Sequence, residues 1–142
     1  MSTWKIDRRF DTPPNASVLA FLRANHLSAH SDVADELVRS AEGVAGVEPY
    51  CPDLPHYAFV MLHLEDSTII GLAYGQSGLA YRLPDSRIAE AGRAGAQPAE
   101  GLGSNWFLLE PWSDTETLQE SRRRLAHWCR VAAGATHQED SV

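Results

Sequence analysis

The chain predicts an α+β fold, an antiparallel sheet of about five strands with helices packed on one face. Three observations carry the prediction. Between Tyr57 and Leu83, three runs rich in apolar, β-branched and aromatic residues follow one another through turns too short for a parallel crossover. Stretches with helical periodicity bracket those runs on both sides. A hydrophobic content of 44% against 22% charged residues suits a globular core. No apolar run approaches the roughly 18 residues of a membrane span. A length of 142 residues fits one domain covering 1–142, with residues 1–30 as a less regular N-terminal extension.

Trp4, Ile6, Arg8 and Phe10 alternate with Lys5, Asp7 and Arg9, a weak strand pattern ended by Asp11-Thr12-Pro13-Pro14. Pro14 suits the start of a helix whose face carries Val18, Phe21 and Leu22 and which ends near Asn25. Ser31 or Asp32 caps a second helix with Val33, Leu37 and Ala41 as its apolar stripe, and Gly43 stops it. Its first turn holds Asp32, Asp35 and Glu36, where the helix dipole favours negative charge. A loop with Pro49, Pro52 and Pro55 leads to strands over Tyr57–Leu64, Thr68–Tyr74 and Leu79–Leu83. Glu65-Asp66-Ser67 and Gly75-Gln76-Ser77-Gly78 are their turns.

Pro84-Asp85 opens a short helix through Ile88 and Ala91, broken by Gly92 and Gly95. Ser104–Glu110 forms another strand, centred on Trp106 to Leu109. Ser113 and Glu116 make a capping box for a last helix lined by Leu118, Leu125, Trp128 and Ala132. Gly134 ends it, and residues 136–142 form a disordered polar tail.

Charge and cysteines narrow the function. Twelve Lys and Arg stand against 19 Asp and Glu, a net charge of -7, and Lys5 is the single lysine. Phosphate-backbone binding draws on cations, so nucleic acid is not the first expectation. Cys51 and Cys129 match no metal-ligand spacing, and Met1–Phe10 lacks the apolar core of a signal peptide. A cytoplasmic protein with reduced thiols is expected, with no cofactor and no metal. Gly71, Gly75, Gly78, Gly101 and Gly103 lie within or between strands, where turn chemistry accounts for them and a dinucleotide loop does not form.

The strand Tyr57–Leu64 is apolar on both faces, with Tyr57, Phe59, Met61 and His63 opposite Ala58, Val60, Leu62 and Leu64. The strand around Trp106 shares this character, whereas a sheet covered on one side alternates apolar with polar. An uncovered apolar face marks a partner surface or ligand groove. The first expectation is thus a non-enzymatic binding module using Phe59, Met61, His63, Arg82 and Trp106, with a protein partner or a second copy as occupant. The competing expectation is that the N-terminal segment and the proline-rich loop fold over that face. Arg82, on the face opposite Tyr81, pairs with a carboxylate or is simply exposed at the sheet surface, the commoner outcomes, or else binds an anion.

Arg122, Arg123, Arg124 and Arg130 form a basic patch on the last helix, which serves as a solvated face paired with Glu116, Gln119 and Glu120. In a nucleic-acid reading the same four would contact phosphate. Cys51, His56, His63, Glu65 and Asp66 are the densest set of reactive or ligating groups. A Cys–His thiolate enzyme or a metal protein requires them to converge. Their spacing assigns no catalytic residue.

The segment Gly78-Leu79-Ala80-Tyr81-Arg82-Leu83-Pro84, the short helix, Gly95-Ala96, Gly103-Ser104-Asn105-Trp106 and the C-terminal amphipathic helix resemble the YjbR-like and TfoX N-terminal-like small domains. Ser31 to Glu48 resembles their first helix and strand, so the resemblance spans about two thirds of the chain. It implies a two-layer α+β sandwich, similar in plan to secretion chaperones, with no catalytic residues to transfer. Some members are linked to DNA uptake or DNA binding, but the lysine-rich positions common in YjbR-like sequences are absent here.

Overall fold

The computed structural model describes residues 10–25, 29–50, 60–63, 67–75 and 78–140. The weak strand expected over 4–10, apart from Phe10, and the loop residues Pro52 and Pro55 lie outside them. Within them the fold is α+β, and its sheet is antiparallel throughout. Six strands are present: β1 (Val47–Tyr50), β2 (Val60–His63), β3 (Thr68–Tyr74), β4 (Gly78–Arg82), β5 (Gln97–Pro98) and β6 (Trp106–Leu108). Their order is β1-β2-β3-β4-β6-β5. Four α-helices accompany them: α1 (Ala16–Asn25), α2 (Ser31–Ala41), α3 (Ile88–Arg93) and α4 (Leu118–Asp140).

Helices α2 and α4 form the main helical layer on one face. Val33, Leu37 and Ala41 meet Leu125, Trp128, Cys129 and Ala132 over Ile70, Leu79, Tyr81 and Phe107. The other face is also covered. Val18, Leu19 and Leu22 of α1, with Phe10, Ala99 and Leu102, pack on Ile69, Leu72, Ala80 and Trp106. Trp106 is 3% exposed. Burying such a ring stabilises by about 4–6 kcal/mol, at about 25 cal/mol per Å2 over roughly 150–250 Å2. Covering this part of the face is therefore favoured over leaving it open. Phe10 also stacks edge-on against Tyr50, with ring centroids 4.6 Å apart. The apolar second face thus has an intramolecular cover from the N-terminal segment.

Asn15 fastens that cover. It is fully buried, and its Nδ2 donates to the Phe10 and Ser67 carbonyls, each at 2.9 Å. Its Oδ1 accepts from the Ile69 amide at 2.8 Å. One amide side chain thereby satisfies three backbone groups and ties the start of α1 to the start of β3. Ser17 adds a second tie, donating its hydroxyl to the Leu102 carbonyl at 2.6 Å.

A β-bulge sets which residues of β3 face which layer. Met61 pairs with Gly71 and Leu62 with Ile69, so Ile70 is an extra residue. Ile69 consequently joins the α1 side while Ile70 joins the α2 side.

Several boundaries differ from the sequence expectation for physical reasons. Residues Val47–Tyr50 are a strand, because Pro49 sits on an edge strand, where a missing amide is tolerated. Pro98 does the same in β5 at the opposite edge. The cap of α2 is His30, whose Nδ1 accepts from the Asp32 amide at 3.1 Å. Gly92 lies inside α3, and the chain turns at Gly95, with φ +94°. The capping box of α4 is Thr117 with Glu120: the Thr117 amide donates to Glu120 Oε1 at 2.8 Å, and the Glu120 amide to Thr117 Oγ1 at 3.1 Å. Leu118 is 48% exposed and stands off the buried stripe. Gly134 does not end α4, which runs to Asp140, so the tail expected over 136–142 is helical as far as the description extends.

Candidate functional site

Of the five sheet residues predicted as one surface, Arg82 and Trp106 are direct cross-strand partners. Positions 61 and 63 pair in register with Gly71 and Thr68. Arg82 pairs in register with Trp106 on the α1 side. Trp106 is core rather than surface, and Arg82 is half-buried. Phe59, Cys51, His56, Glu65 and Asp66 lie outside the described residues. Among the described residues, no three His, Cys, Asp or Glu side chains are grouped so as to hold a metal ion. Nor is any helix among them long and apolar enough to cross a membrane.

The arginines of α4 divide into two pairs. Arg122 makes a two-pronged contact with the buried Glu36 carboxylate, both bonds at 3.2 Å. Arg124 grips Glu116, with Nη2 to Oε1 at 2.9 Å. Glu116 is the partner the sequence suggested for this patch, while the tie of Arg122 to α2 joins residues 86 positions apart. Arg123 and Arg130 are exposed.

Two polar clusters have structural roles. The Tyr81 hydroxyl donates to Ser40 Oγ at 2.7 Å, and Ser40 donates to the Leu37 carbonyl at 2.7 Å. Burial pushes the Tyr81 phenol up and raises the nearby Cys129 thiol to about 11. Cys129 is fully buried, so it is held as an inert thiol. On the surface, Arg87 donates to both Glu90 oxygens, at 2.8 and 3.2 Å, and holds that carboxyl below its usual range. His127 Nε2 stands 3.5 Å from Glu90.

An open groove lies where β6 leaves the sheet and turns towards α4. It has two adjoining lobes that share Gly95, Leu109 and Glu110. One lobe, of about 390 Å3, is lined by Tyr74, Gly75, Gly78, Gln97 and Leu108. The other, of about 400 Å3, is lined by Ala94, Ser113, Thr115, Glu116 and Arg124. The Leu109 amide donates to the Leu79 carbonyl at 2.8 Å, which anchors the groove floor to the sheet. The chain then bends at buried Pro111, and Trp112 beyond it is 40% exposed.

Beyond Trp112, the Glu116 amide closes a turn onto the Ser113 carbonyl at 3.2 Å. The Arg124 hydrogen bonds keep the Glu116 carboxyl below its ordinary value. That wall of the groove is a closed ion pair. Glu110 and Trp112 did not stand out in the sequence. The signal available was Pro111-Trp112 in a non-periodic stretch between a strand and a helix, where a large aromatic residue has no core stripe to join.

Comparison of the chain with protein-family models, curated proteins and solved structures finds no match.

Proposed function

We propose that this protein is a non-enzymatic binding module whose contact surface is the corner between β6 and α4. The observation that carries the proposal is the position of the exposed apolar side chains. Both large ones among the described residues, Trp112 and Leu118, belong to segment 110–118, which borders the groove. Half-exposed tryptophans beside a groove are effective anchors, because one ring supplies a large contact area at little conformational cost. The cytoplasmic location and the kinship with YjbR-like and TfoX N-terminal-like domains belong to the same proposal, supported by the sequence features of residues 31–134. The nucleic-acid alternative draws on Arg123 and Arg130, because Arg122 and Arg124 are engaged with Glu36 and Glu116.

Selection from a random peptide library on the immobilised full chain tests the proposal, with each selected binder re-measured on Trp112→Ala and Leu118→Ala. Selected peptides are expected to lose affinity for both variants. Peptides that bind both variants as tightly as the parent would place the contact surface elsewhere.

A further inference from the structure

We infer that the occupant of this corner is a short basic segment of another protein, presenting an arginine or lysine beside apolar residues. The inference rests on the binding role proposed above and specifies its chemistry.

Glu110 is the starting point. It is exposed, it lines both lobes, and it takes part in none of the ion pairs among the described residues. Glu116, the other carboxylate of the groove, is neutralised by Arg124. The uncompensated charge in the groove is thus a single negative one.

Trp112 lies two residues beyond Glu110, so their Cα atoms are at most about 7 Å apart. In the proposed complex the cation sits between this carboxylate and the indole two residues on, and indole is the aromatic face with the strongest attraction for cations. Leu108, Leu109 and Tyr74 give an apolar floor for the methylene stem behind that cation. Arginine and lysine side chains combine these two properties.

The rest of the molecule favours the same partner. A net charge of -7 attracts a basic segment and repels both an acidic one and a second copy of this chain. Pro98 in the neighbouring edge strand β5 removes a donor that strand addition would use. Side chains rather than a shared sheet ladder then carry recognition.

The test is a titration of the isotope-labelled full chain, followed by amide and indole NMR signals. The probe is a capped synthetic peptide of alternating arginine and leucine, compared with versions carrying glutamine or glutamate for arginine. The arginine peptide is expected to shift Gly95, Leu109, Glu110 and the Trp112 indole saturably. Trp112→Ala should weaken it about tenfold, and Glu110→Gln about threefold at low salt. The Glu110→Gln effect should shrink as salt rises. Unchanged circular dichroism and Tm verify that both variants fold.

If the glutamine or glutamate peptide binds the groove as tightly, the basic occupant is wrong while the binding role stands. If no peptide shifts the groove signals, both fall. Groove signals that move on concentrating the protein alone would make a second copy the occupant and overturn the inference. Shifts confined to another surface would overturn it as well.

Discussion

Replacing Asn15 by alanine removes the side chain that holds α1 over the sheet, and the structure sets the size of the loss. Two of its three partners, the Phe10 carbonyl and the Ile69 amide, are bonded in buried surroundings. The third, the Ser67 carbonyl, is part-buried and can regain water. A buried backbone group left without a partner costs about 1–3 kcal/mol, and a lost bond that water replaces about 1. Asn15→Ala should therefore destabilise by about 4 kcal/mol, a large share of the roughly 5–15 kcal/mol that holds a domain together. The corresponding fall in Tm is about 15 °C for a chain of this size.

Urea unfolding measures the loss, with the midpoint falling and the slope against denaturant unchanged. Because α1 covers Trp106, the variant should also bind a hydrophobic dye that the parent does not. A loss below about 1 kcal/mol would refute the reasoning, since water would then be serving all three groups. Asn15→Asp supplies a second check. It keeps the acceptor for the Ile69 amide but turns a carboxylate towards two carbonyl oxygens. That environment favours the protonated form, so the folded pKa lies above the unfolded one. Stability of this variant is therefore regained as pH falls through the folded pKa, opposite to an ordinary surface carboxylate.

Three further outcomes follow from the geometry. Arg124 holds the Glu116 carboxyl below its ordinary value of 4.5, so the pair contributes stability above that value that is lost as pH falls through the folded pKa. Denaturation midpoints of Glu116→Gln should decline less steeply than those of the parent over that acidic range; parallel profiles would refute this. The Cys129 thiol, buried and raised to about 11, should resist alkylation at neutral pH. Peptide mapping after treatment should find it modified only under unfolding conditions, and prompt labelling of the native protein would contradict its placement. Gly134 lies within α4, and an added Cβ meets nothing within 4 Å. Gly134→Ala should stabilise by about 0.5–1 kcal/mol in thermal or urea unfolding, whereas a loss would mean that the helix ends there.

Where neighbours in the chain decide the structure, the sequence was legible. β3 spans Thr68–Tyr74 as its β-branched run indicates, and Val33, Leu37 and Ala41 are the buried stripe of α2. Features set by distant residues were not. Ser113-x-x-Glu116 and Thr117-x-x-Glu120 both satisfy the capping-box pattern. The second is used, while Glu116 is held by Arg124, eight residues away. β1 and β5 each contain a proline, which hides an edge strand from propensity reasoning. The bulge at Ile70 resets the alternation of β3, and no local pattern announces it. For the site, the pairings of Arg82 with Trp106 and of positions 61 and 63 with Gly71 and Thr68 are set by strand register, which no local pattern announces.

The same long-range ties bear on where the proposed contact surface lies. The apolar strands read, on sequence alone, as more hydrophobic surface than one core needs. A single sheet supporting two cores absorbs that excess, one beneath α2 and α4 and the other beneath α1. Asn15 fastens the second core by bonding across 52 to 54 residues to the start of β3, a contact outside the reach of periodicity. With Trp106 buried on one face, Tyr81 on the other and a proline in each edge strand, sheet-mediated pairing loses its main opportunities. The recognition proposed above lies instead where the chain leaves the sheet. After β6 the chain bends at Pro111, Trp112 is exposed, and the neighbouring Glu110 lines the groove with a carboxylate in none of the ion pairs among the described residues.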